Sequence, residues 1–154
     1  MKVIIISMNH LTLGILTPTI GTNYLKNNII SVQNQTYKNI KHYIIIDGRK
    51  YYNKVMKIIK ECSMYFNNIP IIINVLEENT GANGWHGHRI YGAYPYLMNT
   101  SFITYLDEDN TFQPSFTKIM INAMIENNNP KDYAYCLRNI MDKNGKIIGK
   151  DICE

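Results

Sequence analysis

The stretch His42-Tyr43-Ile44-Ile45-Ile46-Asp47-Gly48 decides the fold. Aromatic and β-branched residues follow one another without polar interruption, as in a strand buried on both faces, and Asp47-Gly48 supplies the turn that ends it. Upstream, Leu13-Gly14-Ile15-Leu16 is another short apolar run. Thr17-Pro18-Thr19 should close it, because proline lacks the N–H that a central ladder needs. Between the two runs Leu25, Ile29 and Val32 recur at i, i+4 and i+7, the spacing of one helical face. Thr22 or Asn23 is placed to cap that helix and Asn34-Gln35-Thr36 to end it. Downstream, Tyr52, Val55, Met56, Ile59 and Cys62 repeat the helical spacing, and Pro70 to Val75 reads as a third strand.

The β-α-β-α-β order continues. After a polar loop, Glu77 to Gly84, a helix is predicted from about Trp85 to Leu97, then a strand from Phe102 to Leu106 that runs into Asp107-Glu108-Asp109. Pro114 should open the next helix, with Phe116, Ile119, Met120, Ala123 and Met124 on its inner face. Tyr133 to Met141 and Lys146 to Ile148 flank Asp142-Lys143-Asn144-Gly145, where Asn-Gly signals a hairpin. The expected fold is therefore α/β, a mostly parallel sheet flanked by helices in three layers, with a C-terminal β-hairpin. Residues 1–154 read as one domain, with 1–12 as an N-terminal extension. Ligands of such sheets collect outside the carboxyl ends of the strands. Thr17-Pro18-Thr19, Asp47-Gly48 and the acidic triplet all fall there, far apart in sequence.

Composition narrows the function. Of 154 residues 45% are hydrophobic and 18% charged, and 16 Lys+Arg against 12 Asp+Glu give +4, which excludes disordered and collagen-like classes. The lysines are scattered singly, without the basic block or Arg/aromatic interleaving of a nucleic-acid surface. Apolar runs such as Val3 to Ile6 and Ile69 to Val75 are far shorter than the ~20 residues of a membrane span, and no secretory leader is expected. Cys62, Cys136 and Cys153 form no CxxC pair, which suits a reducing, cytoplasmic setting. No serine-hydrolase elbow, HExxH or P-loop string occurs.

In an extended segment Asp107 and Asp109 project to one side while Glu108 points away. Two carboxylates so placed repel unless a cation joins them, and hard oxygens suit Mg²⁺ or Mn²⁺ shared with substrate phosphates; a solvated acidic turn is the bland alternative. In Asn83-Gly84-Trp85-His86-Gly87-His88-Arg89-Ile90-Tyr91-Gly92 the glycines permit close backbone approach at a helix start that would favour an anion, and Arg89 adds a permanent charge. His86 and His88, two apart, should not share a metal. Asp47 could accept from a base or ribose or merely shape a turn, and Thr19 could bind ligand or cap a helix.

These residues together resemble family 2 glycosyltransferases of the GT-A fold. The match runs through Ile15-Leu16-Thr17-Pro18-Thr19, Ser31 to Asn39, Ile44-Ile45-Ile46-Asp47-Gly48, the G-x4-R-x2-G of Gly84, Arg89 and Gly92, and Tyr105-Leu106-Asp107-Glu108-Asp109-Asn110 followed by Pro114. The resemblance implies a nucleotide-sugar-binding part in which Pro18, Thr19 and Asp47 contact the nucleoside and Arg89 helps hold the nucleotide. It places Asp107 on the ribose side and Asp109 as ligand of a Mn²⁺ or Mg²⁺ that bridges the diphosphate, with Asp107 beside it. It further implies inverting transfer from a UDP- or GDP-linked sugar to a hydroxyl of a glycan, protein or lipid. Ile20 stands where the family has an aromatic, and Gly48-Arg49-Lys50 replaces small polar residues. No residue matches the family's catalytic base, so an acceptor-binding half is expected to be missing from this stretch. Two other readings compete: a nucleotide-sugar-binding module without turnover, and a nucleotidyltransferase, whose Gly-rich basic loop near the first strand is not matched by Gly14 and Gly21.

Overall fold

Isoleucine-rich runs between polar helices leave the chain one economical solution, a sheet covered on both faces. The computed structural model describes residues 10–125, 131–142 and 145–151. Val3 to Ile6, Asn144, Cys153 and Glu154 lie outside the described residues. The chain divides into two compact units, one running to Lys118 and the other starting at Ile119.

In the first unit β1 (Leu13–Thr19), β2 (Ile40–Ile46), β3 (Ile71–Val75) and β4 (Phe102–Tyr105) form a wholly parallel sheet in the order β3-β2-β1-β4. The helices α1 (Leu25–Gln33), α2 (Tyr52–Glu61) and α3 (His88–Ala93) follow β1, β2 and β3. Alternation along β2 sends Ile44 and Ile46 into a core with Leu25, Ile29, Val55, Ile59 and Cys62 of the α1/α2 side. Tyr43 and Ile45 join Leu16, Ile90 and Met98 on the other side. Each fully buried Ile or Leu here contributes roughly 1.5–3 kcal/mol. This is the expected three-layer α/β arrangement.

Pro18 departs from expectation by lying inside β1, paired in register with Ile45. Hydrogen-bond alternation explains it. The Leu16 carbonyl accepts from Leu106 N–H, on the β4 side, and the Thr19 carbonyl accepts from Asp47 N–H, on the β2 side. Pro18 therefore presents its nitrogen towards β4, whose pairing with β1 has already stopped at Leu16↔Tyr105, and no donor is missed.

Other boundaries shift. Neither Thr22 nor Asn23 caps α1 through its side chain; the N-cap is Tyr24, and the Thr22 carbonyl accepts the Leu25 N–H at 3.2 Å. The helix expected from Trp85 begins only at His88 and passes into a 3₁₀ turn, Tyr94–Leu97, where Pro95 cannot donate to a continuing helix. α4 (Phe116–Met124) starts two residues after Pro114, and its buried positions are Thr117 and Ile121 rather than the expected face, Ile119 being 59% exposed. Thr117 wins burial because Gln35 Oε1 accepts from both its N–H and its hydroxyl at 3.0 Å.

In the second unit β5 (Arg138–Met141) pairs antiparallel with β6 (Ile147–Asp151), and the Gly145 N–H donates to the Asp142 carbonyl at 3.0 Å, so the expected hairpin is present. Among the described residues no helix is long and apolar enough to cross a membrane.

Candidate functional site

The order β3-β2-β1-β4 changes direction at β1: α1 and α2 carry the chain outward over one face and α3 returns it to β4 over the other, so the carboxyl ends of β1 and β4 flank the switch point at which such sheets have their crevice. Thr19 ends β1 at one lip of that crevice. Leu106 and the acidic triplet follow β4 at the other. Glu108 spans it: its Oε2 accepts from Thr19 Oγ1 at 2.6 Å and from Thr22 N–H at 3.0 Å. The middle carboxylate of the triplet is thus turned inward as a latch, while Asp107 and Asp109 are exposed.

Asn28 of α1, fully buried, holds the triplet's backbone from beneath. Its Nδ2 donates to the Asp107 carbonyl at 2.9 Å and to the Asn110 carbonyl at 3.3 Å. Tyr91 of α3 donates its hydroxyl to Asp107 Oδ1 at 2.5 Å, and its ring meets Tyr105 edge-on with centroids 4.9 Å apart. Burial first, and then the neighbouring Asp107, push the Tyr91 phenol well above its ordinary range, so it remains a proton-bearing donor.

At the end of β2, Asp47 is almost wholly buried and its carboxylate faces the loop after β3. Oδ1 accepts from the Thr80 N–H at 2.7 Å and the Thr80 hydroxyl at 2.9 Å, and Oδ2 accepts from the Gly81 N–H at 2.8 Å. Gly81 is needed there: a Cβ would fall 2.2 Å from the His86 carbonyl oxygen and 2.9 Å from Asp47 Oδ2. The same loop carries Asn83, Gly84 and His86 with positive φ. Its far end rests on β1, since a Cβ on Gly87 would meet Pro18 Cγ at 3.0 Å and Tyr91 Cε2 at 3.2 Å. Arg89 is exposed, donates from Nη1 to the Thr80 carbonyl at 3.2 Å and lies over the Trp85 ring, 4.3 Å from its centroid. Gly92 has open space around its Cβ position. Arg49, in the turn after Asp47, pairs with Glu77, which holds the Glu77 carboxyl below its usual range.

All six residues singled out from sequence therefore sit along one rim. Pro18, Thr19, Asp47, Arg89 and Asp107 are joined through Gly87, Glu108, Thr80 and Tyr91, and Asp109 follows at the exposed end. Thr80, Tyr91 and Glu108 were not singled out as site residues. The helix start expected to favour an anion is weaker than expected, because α3 has six residues and the His86 and His88 N–H groups already bond Gly81 and Trp85 carbonyls. The rings of His86 and His88 are 6.4 Å apart at right angles, and among the described residues no three His, Cys, Asp or Glu side chains form a metal cage. Among the described residues, apolar grooves lie elsewhere, around Met56 and Ile59 of α2, Phe66 in the segment after it, and Ile71 and Ile73 of β3.

No protein-family profile matches the chain. A curated protein of Rickettsia bellii (strain RML369-C), described as an uncharacterized glycosyltransferase, is 27% identical over 128 residues, 83% of this chain and 17% of that protein. S. aureus TarS 1-349 in complex with UDP shares the fold with a TM-score of 0.58 and 16% identity, over 75% of this chain and 32% of that one. The corresponding complex with UDP-GlcNAc gives 0.54 at 16% identity, over 75% and 31%. The chain is thus similar in sequence to part of one protein described as a glycosyltransferase and shares its fold with part of TarS; it spans about a sixth of the curated relative's length and a third of these TarS chains'.

Proposed function

We propose that this chain is the donor-binding part of a family 2 glycosyltransferase of GT-A type, which takes a UDP- or GDP-linked sugar and passes the sugar, with inversion, to a hydroxyl acceptor. The observation that carries the reading is the Glu108 bridge to Thr19 and Thr22. It joins the strand-end segments on either side of the topological crevice into one rim, where this class of sheet receives nucleotides. The complexes of TarS with UDP and UDP-GlcNAc, and the name of the Rickettsia relative, support the choice of ligand. Free thiols at Cys62 and Cys136 suit a cytoplasmic setting.

The residues present fit a divalent cation shared with phosphates. Asp109 is exposed with hard oxygens, and Asp107 keeps one carboxylate oxygen outside its bond to Tyr91. A Mn²⁺ or Mg²⁺ bound there would offset the charge gathering on the departing nucleotide. The chain's own part is to orient the donor. Arg89, in the first turn of α3, offers a guanidinium to the nucleotide while leaning on the Thr80 carbonyl of the loop that Asp47 immobilises, and Pro18 and Thr19 form the floor against which the nucleoside rests. Asp47, with both oxygens occupied by Thr80 and Gly81, serves the nucleoside by shaping this loop.

Calorimetric titration of UDP and of GDP, with and without Mn²⁺, tests the reading. Binding of one nucleotide should strengthen with Mn²⁺, and Asp109→Ala should weaken the metal-dependent binding by roughly tenfold or more. Absent or metal-independent binding would sink it. Release of sugar from a labelled donor by the chain would separate an enzyme from a module that binds without turnover.

A further inference from the structure

Three successive carboxylates repel one another, and each is handled differently here. Glu108 is turned inward on Thr19 and Thr22, Asp109 is left to solvent, and Asp107 is held by the Tyr91 hydroxyl on Oδ1. A Lys or Arg in place of Tyr91 would also fix Asp107. It would at the same time cancel the negative charge that a cation needs and compete with it for the oxygens. A phenol donates one hydrogen bond and adds no charge. The phenol is itself fixed: its ring lies against Tyr105 and Gly87, and its N–H donates to the Gly87 carbonyl at 2.9 Å. Asn28 and the Asn110 N–H hold the Asp107 carbonyl. Backbone and one carboxylate oxygen of Asp107 are thus immobilised before any ligand arrives.

We propose that Tyr91 is a positioning residue for the cation and diphosphate: by fixing Oδ1 of Asp107 with a neutral donor, it sets the orientation of the carboxylate and leaves Oδ2 free of that bond for the ligand. The inference rests on the donor-binding reading above and adds to it a residue on α3. Hydrogen bonds to ligating carboxylates preset ligand geometry, and their loss typically lowers metal affinity by roughly ten- to a hundredfold.

The test is Tyr91→Phe, which removes the hydroxyl and keeps the ring contacts, beside Tyr105→Phe, which removes a phenol from the other member of the ring pair. Mn²⁺ uptake at saturating UDP is followed by the loss of the free-ion electron paramagnetic resonance signal, and thermal unfolding is measured on the same samples. Tyr91→Phe should need roughly tenfold more Mn²⁺ for half-occupancy while its unfolding midpoint stays within about 2 °C of the wild type; Tyr105→Phe should match the wild type in both. Unchanged Mn²⁺ uptake in Tyr91→Phe overturns the inference. So does equal weakening in both variants, or weakening that only accompanies a lowered unfolding midpoint, since either means that ring packing is what was lost. A wild-type chain that takes up no Mn²⁺ with UDP overturns the donor-binding reading first, and this inference with it.

Discussion

At the scale of the residue, burial decides what a polar group can do. His42 is fully buried in β2, its Nε2 is 3.0 Å from Thr17 Oγ1, and Nδ1 has no partner. Burial alone lowers its pKa from 6.5 to about 3. Below pH 6.5 the unfolded imidazole takes up a proton that the folded one refuses until about pH 3. Stability is therefore complete above pH 6.5 and falls as pH drops through that window, by at most about 1.4 kcal/mol per pH unit. Urea midpoints measured from pH 7.5 to 4 should decline in the wild type and decline less in His42→Gln; parallel declines would mean that other groups set the acid sensitivity. Nothing at sequence level marks His42 as buried, since a histidine at the start of an apolar run is equally at home at a solvent-facing strand end. Asp47 is different. A carboxylate directly after Ile44-Ile45-Ile46 has to lie at the strand's end, so its place was legible, although its partners Thr80 and Gly81, 33 and 34 residues on, were not.

At the scale of the element, periodicity is trustworthy where it is unambiguous. Leu25, Ile29 and Val32 are the apolar side chains that recur along one face of α1, and all three are fully buried. α4 carries two plausible stripes. Phe116, Ile119, Met120, Ala123 and Met124 form the more apolar one, yet Thr117 and Ile121 are inside, because Gln35 reaches over from beyond α1 to satisfy Thr117. A long-range hydrogen bond thereby overrides local hydrophobicity. Ile121→Ala should lower the unfolding free energy by about 2–4 kcal/mol and Ile119→Ala should change it by less than about 0.5 kcal/mol, both measured by chemical denaturation. Equal effects would restore the face that the apolar spacing suggests. The same long reach conceals Glu108 and Tyr91 from a reading of local pattern: their partners Thr19 and Asp107 are 89 and 16 residues away.

At the scale of the whole molecule, the parallel order of the sheet was legible from strand-helix alternation, and with it the edge at which Thr19, Asp47 and Asp107 meet. How that edge is held together was not, because it depends on side chains that reach partners distant in sequence, Glu108 to Thr19 and Thr22 among them. Glu108→Ala removes the acceptor of Thr19 Oγ1 and Thr22 N–H, and should cost about 1–3 kcal/mol of stability. Hydrogen exchange at the Thr22 amide should accelerate at least tenfold while amides in the middle of β2 keep their protection. Unaltered exchange at Thr22 would show that the bridge is not what holds the rim. Pro18 then gives the opening its permanence. Two ribbons that run side by side ordinarily zip until a turn parts them, but an imino nitrogen offers the neighbour no hydrogen, so the fork between β1 and β4 stays open. Where the two ribbons part company is thus written into the covalent chemistry of one residue.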